Sequence, residues 1–181
     1  MIKLRLFLML LFFSAHSSSA DSPSLSLDAS GDQQGQFIQQ KHLKVLSQPF
    51  VTKGNYHYQQ NIGLVWNTKL PLVSELKITS EGVSERQPDG NFKTLTNNAQ
   101  FSELLLALFS GQQQSLQQQF TLTQQENTLT LIPKVQQISQ IFERITLLLS
   151  EQGIQKITLY EPQGNYTTIL LSQNSLADTQ D

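Results

Sequence analysis

The segment KGNYHYQQNIGLVWNTKLPLVSELKIT, residues 53–79, contains the only tryptophan of the chain and predicts three successive β-strands. Side chains of a strand alternate between its two faces, and each of these strands has one apolar face. The residues on the apolar faces are Tyr56 and Tyr58, then Leu64 and Trp66, then Leu72, Leu76 and Ile78. The connections between the strands are short, so the strands must run antiparallel.

The composition limits what the chain can do. Its 181 residues suit one domain, and the absence of cysteine excludes disulfides, thiolate nucleophiles and cysteine-ligated zinc. The 12 Lys and Arg against 14 Asp and Glu give a net charge of −2 without a basic patch, which argues against a nucleic-acid partner.

The N-terminus has the pattern of an export signal. Residues 1–20 combine Lys3 and Arg5, the apolar run 6–13, and small residues before a predicted cleavage after Ala20. The apolar run is shorter than the roughly 20 residues of a membrane-spanning helix, which disfavours the alternative of a retained anchor. We expect a periplasmic protein with a flexible leader at 21–36, one domain at 37–172 and a polar tail at 173–181.

A strongly apolar helix is predicted over residues 99–109. Phe101, Leu104, Leu105 and Leu108 have helical spacing, Asn97 or Asn98 can cap the start, and Gly111 can end it. Such a helix must lie against an apolar surface. It is either an ordinary core helix or a lid over a cavity of lipid size.

The remaining elements follow from alternation and turn residues. Residues 37–46 fit either a helix or a strand, and 112–119 fit a loop or a helix end. Further strands are predicted at 83–86, 120–123, 128–132, 145–149, 154–160 and 166–171, with a short helix at 136–142. A hairpin turn is predicted at 163–165.

No arrangement of residues points to catalysis. His42 and His57 lack acidic residues at metal-ligand spacing, and no G-x-S-x-G or glycine-rich phosphate motif occurs. Glu75, Glu81 and Glu85 fit solvated charges better than a glycosidase pair. We therefore expect no catalytic residue, metal or cofactor, and an apolar concave site instead.

Several short motifs in order make the chain resemble the LolA family of periplasmic outer-membrane lipoprotein carriers, and in particular its divergent LolA-like branch. The motifs are FIQQK at 37–41, Pro49-Phe50 with Gly54, WNTKLP at 66–71, ITSEGV at 78–83, LTLIPK at 129–134, and the closing hairpin at 153–170. Together they extend over roughly residues 37–171.

The resemblance implies an α+β, mainly β fold: a strongly curved, unclosed antiparallel sheet, or half-barrel, with helices covering its concave apolar face. It favours a strand at 37–46. It implies a lipid-binding cavity and lid formed by Tyr56, Tyr58, Leu64, Trp66, Leu76, Ile78, Phe101, Leu104, Leu105, Leu108, Phe120, Leu129 and Leu131. The family has an arginine before the tryptophan strand that holds the lid closed, and the matching position here is Gln60 or close to it.

The resemblance implies a non-enzymatic carrier that shields the acyl chains of a lipoprotein, glycolipid or other lipid. Its partners are then an inner-membrane donor complex and an outer-membrane acceptor, and the carrier itself is a monomer without a cofactor. The alternative is a lipid-sensing or adaptor module that acts through a protein partner. A small hydrolase is the third possibility, and it lacks a catalytic grouping to support it.

Overall fold

The computed structural model describes residues 31–96 and 99–173, which form eleven β-strands and three α-helices. The strands are β1 (Gln33–His42), β2 (Phe50–Gln59), β3 (Gly63–Leu70), β4 (Ser74–Thr79), β5 (Gly82–Arg86), β6 (Phe92–Thr96), β7 (Phe120–Gln125), β8 (Thr128–Pro133), β9 (Arg144–Ser150), β10 (Gly153–Tyr160) and β11 (Tyr166–Gln173). The helices are α1 (Ala99–Ser110), α2 (Gln113–Gln119) and α3 (Gln136–Ser139). The predicted export signal, most of the predicted leader and most of the polar tail lie outside the described residues.

All the strands of the described chain belong to one antiparallel sheet in the order β6-β5-β4-β3-β2-β1-β11-β10-β9-β8-β7. Neighbouring strands are consecutive in the chain except for β1 and β11, which pair in the middle. The edge strands β6 and β7 do not pair, and the chain passes between them through α1 and α2. The predicted unclosed antiparallel half-barrel with few helices is confirmed.

The three strands predicted from residues 53–79 are confirmed as β2, β3 and β4. Tyr56, Tyr58, Leu64 and Ile78 are buried, as the alternation predicts, because these residues face the concave side of the sheet. The prediction for Leu72 is wrong. Leu72 lies in the loop between β3 and β4, beyond the paired residues, and it is exposed to solvent.

Residues 37–46 follow the strand alternative only in part. The strand β1 begins at Gln33, inside the segment predicted as leader, and ends at His42, so Val45 and Leu46 fall in an exposed loop. Phe37 points to the concave side and is fully buried. The register explains the early start, because Gln33 to Lys41 pair with Tyr58 to Phe50 of β2.

The second half of the chain contains the five predicted strands, each with slightly longer bounds, and the turn before Tyr166. Two elements were not predicted. The strand β6 is a short, mostly exposed edge strand whose apolar residues do not alternate, and α2 forms from the Gln-rich segment predicted as a loop or a helix end. The short helix α3 covers Gln136–Ser139, less than the predicted residues 136–142.

The predicted apolar helix is confirmed as α1, and it ends where the sequence indicates. Gly111 follows it with a φ of 66°, a left-handed conformation that glycine adopts without strain. The proposed caps Asn97 and Asn98 lie outside the described residues. Within the described chain, no helix combines the length and apolar character needed to cross a membrane.

Candidate functional site

The predicted site residues come together in one cluster on the concave side of the sheet. The buried members are Tyr56, Tyr58, Leu64, Ile78, Leu104, Leu108, Phe120, Leu129 and Leu131, and the half-buried members packed against them are Trp66, Leu76 and Leu105. The side chain of Phe101 lies outside the described part of the structure. Helix α1 therefore fills the concavity with its own apolar side chains.

Aromatic rings line the concave side of β1, β2 and β3. The rings of Phe37 and Trp66 stack with centroids 3.9 Å apart, and Tyr56 lies 6.2 Å from Trp66. Phe109 of α1 completes the group, with its ring centroid 5.3 Å from that of Tyr56 and 6.1 Å from that of Tyr58. The helix thus contacts the sheet through aromatic rings, and these five residues are called the aromatic cluster below.

Two members of the aromatic cluster, Phe37 and Phe109, are missing from the predicted site. Phe37 pairs with Gly54 in the register of β1 and β2, and a side chain at Gly54 would collide with the Asn67 carbonyl and touch the Phe37 ring. The glycine therefore lets Phe37 cover the sheet and reach Trp66. Phe109 follows Leu105 by four residues, so helical spacing could have identified it.

Burial changes the pKa of one residue in the aromatic cluster, Tyr56. Desolvation of the Tyr56 hydroxyl raises its pKa to about 12 from the ordinary 10.0. The hydroxyl therefore stays neutral at any physiological pH, and the concave core carries no charge from this residue.

The C-terminal end of α1 is attached to the central strand of the sheet by a side-chain hydrogen bond. The Nε2 of Gln33 donates to the Phe109 carbonyl at 2.7 Å. Carbonyls in the last turn of a helix have no partner inside the helix, so this amide satisfies one of them. Gln60, the predicted counterpart of the family's arginine, lies in the β2–β3 turn with an exposed side chain, and its backbone N–H donates to Asp32.

A cleft of about 470 Å³ opens beside α1, where α1 and α2 meet the β2–β3 and β4–β5 turns. Its lining is mostly hydroxyl and amide groups, with one carboxylate: Tyr58, Asn61, Ile62, Gly63, Ser80, Glu103, Leu106, Ala107, Ser110, Gln112, Ser115, Gln118 and Gln119. The Oε1 atom of Gln119 is buried without a hydrogen-bond partner. The sequence pattern does not predict this cleft, because the residues of α2 fit a loop as well as a helix end.

Charged and titratable groups elsewhere form surface pairs. Arg86 donates to Glu75 at 2.8 Å, and this hydrogen bond holds the pKa of the Glu75 carboxyl below its ordinary value. A carboxyl with a lowered pKa is charged at neutral pH and poorly suited to act as a general acid. Within residues 31–96 and 99–173, no three His, Cys, Asp or Glu side chains are placed to hold a metal ion.

Comparison with known families assigns the chain. The model of the family "Outer membrane lipoprotein carrier protein LolA" matches residues 31–181. The chain belongs to the LolA family. This is a family of carrier proteins, and the match covers the whole sheet and the helices of the described structure. No curated protein sequence matches the chain.

Solved structures similar to this LolA-family protein share little of its sequence. A LolA superfamily protein from Nitrosomonas europaea is 7% identical over 78% of this chain and 84% of its own, with a TM-score of 0.42. LprF from Mycobacterium bovis is 13% identical over 85% of this chain and 91% of its own, with a TM-score of 0.40. The MucA/MucB complex of Pseudomonas aeruginosa gives 10% identity over 81% of this chain and 52% of the matched chain, with a TM-score of 0.44.

Proposed function

We propose that this protein is a non-enzymatic periplasmic carrier. It shields the acyl chains of a lipidated cargo, either a lipoprotein or another lipid such as a glycolipid, during transfer towards the outer membrane. Membership of the LolA family supports this function, and the export signal of residues 1–20 supports the compartment. An inner-membrane donor and an outer-membrane acceptor are the expected partners of a carrier with this direction of transfer.

The proposed acyl site is the concave apolar face of the sheet together with the apolar side of α1 that covers it. Its residues are Tyr56, Tyr58, Leu64, Trp66, Leu76, Ile78, Phe101, Leu104, Leu105, Leu108, Phe120, Leu129 and Leu131. Acyl chains gain about 0.8 kcal/mol for each CH₂ group removed from water, so several chains bind firmly without polar recognition. No specific hydrogen-bonding pattern is needed in such a site.

The observation that supports this proposal most strongly is the position of α1. The helix lies in the concavity and forms part of the connection between the edge strands β6 and β7, which do not pair with each other. Its displacement therefore breaks no strand pairing. Leu104, Leu105 and Leu108 occupy the space that acyl chains need. Cargo and helix therefore compete for one apolar surface, which provides both binding and release.

The cleft beside α1 suits the polar part of the cargo. It adjoins the buried Tyr58 and Ala107 of the core, and it offers amide and hydroxyl groups at the surface. A cargo with its chains beneath α1 can therefore keep its polar head in this cleft. The orphan Oε1 of Gln119 needs a donor, which a hydroxyl or an amide of the cargo supplies.

Native mass spectrometry of the protein recovered from its own periplasm tests the proposal directly. A co-purified acylated molecule, identified after lipid extraction, is the expected result. An unliganded mass, together with no thermal stabilisation by lipoprotein, glycolipid or phospholipid, would contradict the carrier function. Co-purification with a protein in place of a lipid would instead support the adaptor function.

One substitution and two control variants refine this test. Leu105→Glu puts a carboxylate on the apolar side of α1, and we expect it to abolish lipid binding because the charged group must be desolvated. Leu105→Met keeps the volume and the polarity of the site, and Lys77→Ala changes the opposite side of the sheet, so both should bind lipid normally. Normal binding by a folded Leu105→Glu protein would exclude α1 from the site.

A further inference from the structure

Two loops at one end of the sheet expose large apolar side chains. The first is the β1–β2 loop, taken together with the first residue of β2. The second is the β3–β4 loop, taken together with the last residue of β3. The side chains are Val45, Leu46, Phe50, Leu70, Leu72 and Val73, called the apolar tip below. Val45 is 87% exposed, Leu72 79% and Val73 81%, so these residues support no part of the core.

The register brings the two loops side by side. Lys53 of β2 pairs with Leu70, the last residue of β3. The β3–β4 loop therefore begins next to Lys53 and runs alongside Val51 and Phe50 at the start of β2. The β1–β2 loop ends at Phe50, so the two loops are neighbours. The cleft beside α1 involves the β2–β3 turn, so the apolar tip lies at the opposite end of these strands.

The charge around the apolar tip differs from that of the whole chain. No Asp or Glu occurs between Gln33 and Ser74, whereas this segment contains Lys41, Lys44, Lys53 and Lys69. The chain as a whole has a net charge of −2. Lys41 pairs with Glu161, and Lys44, Lys53 and Lys69 are exposed beside the tip, where Glu75 at the start of β4 is the acidic residue that interacts with Lys69. Apolar side chains flanked by lysines favour binding to a surface that is both apolar and negatively charged.

Aromatic side chains lie behind the tip on the convex face. His42 stacks on Tyr166 with centroids 4.2 Å apart, and Tyr160 lies 6.1 Å from Tyr166. The guanidinium of Arg144 lies 4.0 Å above the Tyr160 ring. Rings with one apolar and one polar part are enriched at the level of lipid headgroups. This row stands at the same end of β1, β10 and β11 as the β1–β2 loop.

We propose that the apolar tip inserts into the surface of a membrane that contains anionic lipids. The tip residues enter the acyl region at shallow depth, while Lys44, Lys53 and Lys69 contact the lipid phosphates. A symmetric contact between two copies is a poorer fit, because it brings the lysines of both tips together. The docking surface is separate from the acyl site, so this proposal does not depend on what the core binds.

Vesicle co-sedimentation tests the docking surface. The protein recovered from the periplasm is mixed with vesicles of phosphatidylcholine, with or without about one third phosphatidylglycerol. We expect binding to the anionic vesicles that weakens as salt is added. Leu72→Asp with Val73→Asp should lower this binding about tenfold or more, because two inserting side chains become charged. Leu95→Asp, at an exposed apolar position of the edge strand β6 outside the tip, should leave it unchanged.

Further variants separate docking from cargo binding and from self-association. Lys44→Gln with Lys53→Gln and Lys69→Gln should remove the preference for anionic vesicles, whereas Leu105→Glu should still bind them. The proposal is overturned if the unaltered protein binds neither vesicle type, or if Leu95→Asp lowers binding as much as the tip variant. It is also overturned if the tip variant dissolves a dimer detected by analytical ultracentrifugation, since the tip is then an interface between copies.

Discussion

The two halves of the sheet build their concave faces from different side chains. The first half, β1–β6, presents rings that contact one another and Phe109 of α1. The second half, β7–β11, presents rows of aliphatic residues across the strands, namely Leu129 with Leu147, Leu131 with Ile145, and Leu147 with Ile157. Leu131, Ile145 and Leu147 have no exposed surface, whereas Trp66 and Leu76 of the first half are half-buried.

This difference indicates which half can open. Branched aliphatic side chains interlock and lose many contacts when they separate, so the second half is a fixed core. The rings of the first half meet the helix through apolar surfaces that an acyl chain can also cover. Helix α1 packs on β4 and β5 of the first half, and α2 packs on β7 of the second. The first half is therefore the better candidate for the region that α1 uncovers.

The largest expected effect is on stability in the second half. Leu131→Ala should lower the free energy of unfolding by about 2–5 kcal/mol, because it leaves a cavity among residues without exposed surface. Leu76→Ala, at a half-buried position of the first half, should cost clearly less. Urea denaturation followed by circular dichroism measures both. Equal losses would show that the two halves are packed alike.

A second prediction uses the Tyr56 hydroxyl as a probe of the first half. Its pKa is about 12 in the folded state and 10.0 ordinarily, so the unfolded chain loses this proton first as the pH rises. The stabilising contribution is complete below pH 10 and is lost as the pH rises through 12. Urea denaturation at pH 8 and across pH 10–12 measures this change.

Tyr56→Phe provides the comparison for that measurement, because it keeps the ring and removes the titrating group. We expect its free energy of unfolding to fall less steeply over pH 10–12 than that of the unaltered protein. Identical slopes for the two proteins would mean that water reaches the Tyr56 hydroxyl in the folded state, and that the aromatic cluster is open at this point.

The sequence predicts the strands wherever alternation and turn residues agree, as in β2, β3 and β4. It fails where local pattern is weak. β6 has only Phe92 and Leu95 as apolar residues, at a spacing that does not alternate, and its place at the sheet edge depends on pairing with β5, which is a tertiary contact. Leu72 follows the alternation of β4 but lies before the first paired residue of this strand. The pattern therefore predicts burial for a side chain that is exposed.

The candidate site shows the same division between local and distant information. Leu104 and Leu108 are predicted by helical spacing alone, and Trp66 by strand alternation. The contact of Phe37 with Trp66 depends on the pairing of Phe37 with Gly54, which leaves room for the Phe37 ring to reach β3, and no local pattern contains this. The hydrogen bond from Gln33 to Phe109 joins residues 76 positions apart, so the sequence offers no signal for it.

The smallest effect tests whether α1 is a lid or only a core helix. Gln33→Glu replaces the amide that donates to the Phe109 carbonyl with a carboxylate that cannot donate. The carboxylate also faces the negative end of the helix dipole, so we expect a loss of about 1 kcal/mol of stability and faster hydrogen exchange in α1. Gln34→Glu, one residue along the strand, is the matched control and should change neither.

If α1 is a lid, lipid must bind more tightly to Gln33→Glu, because less free energy is needed to displace the helix. If lipid affinity stays unchanged while α1 exchanges faster, the helix is part of the permanent core, and the acyl chains bind elsewhere.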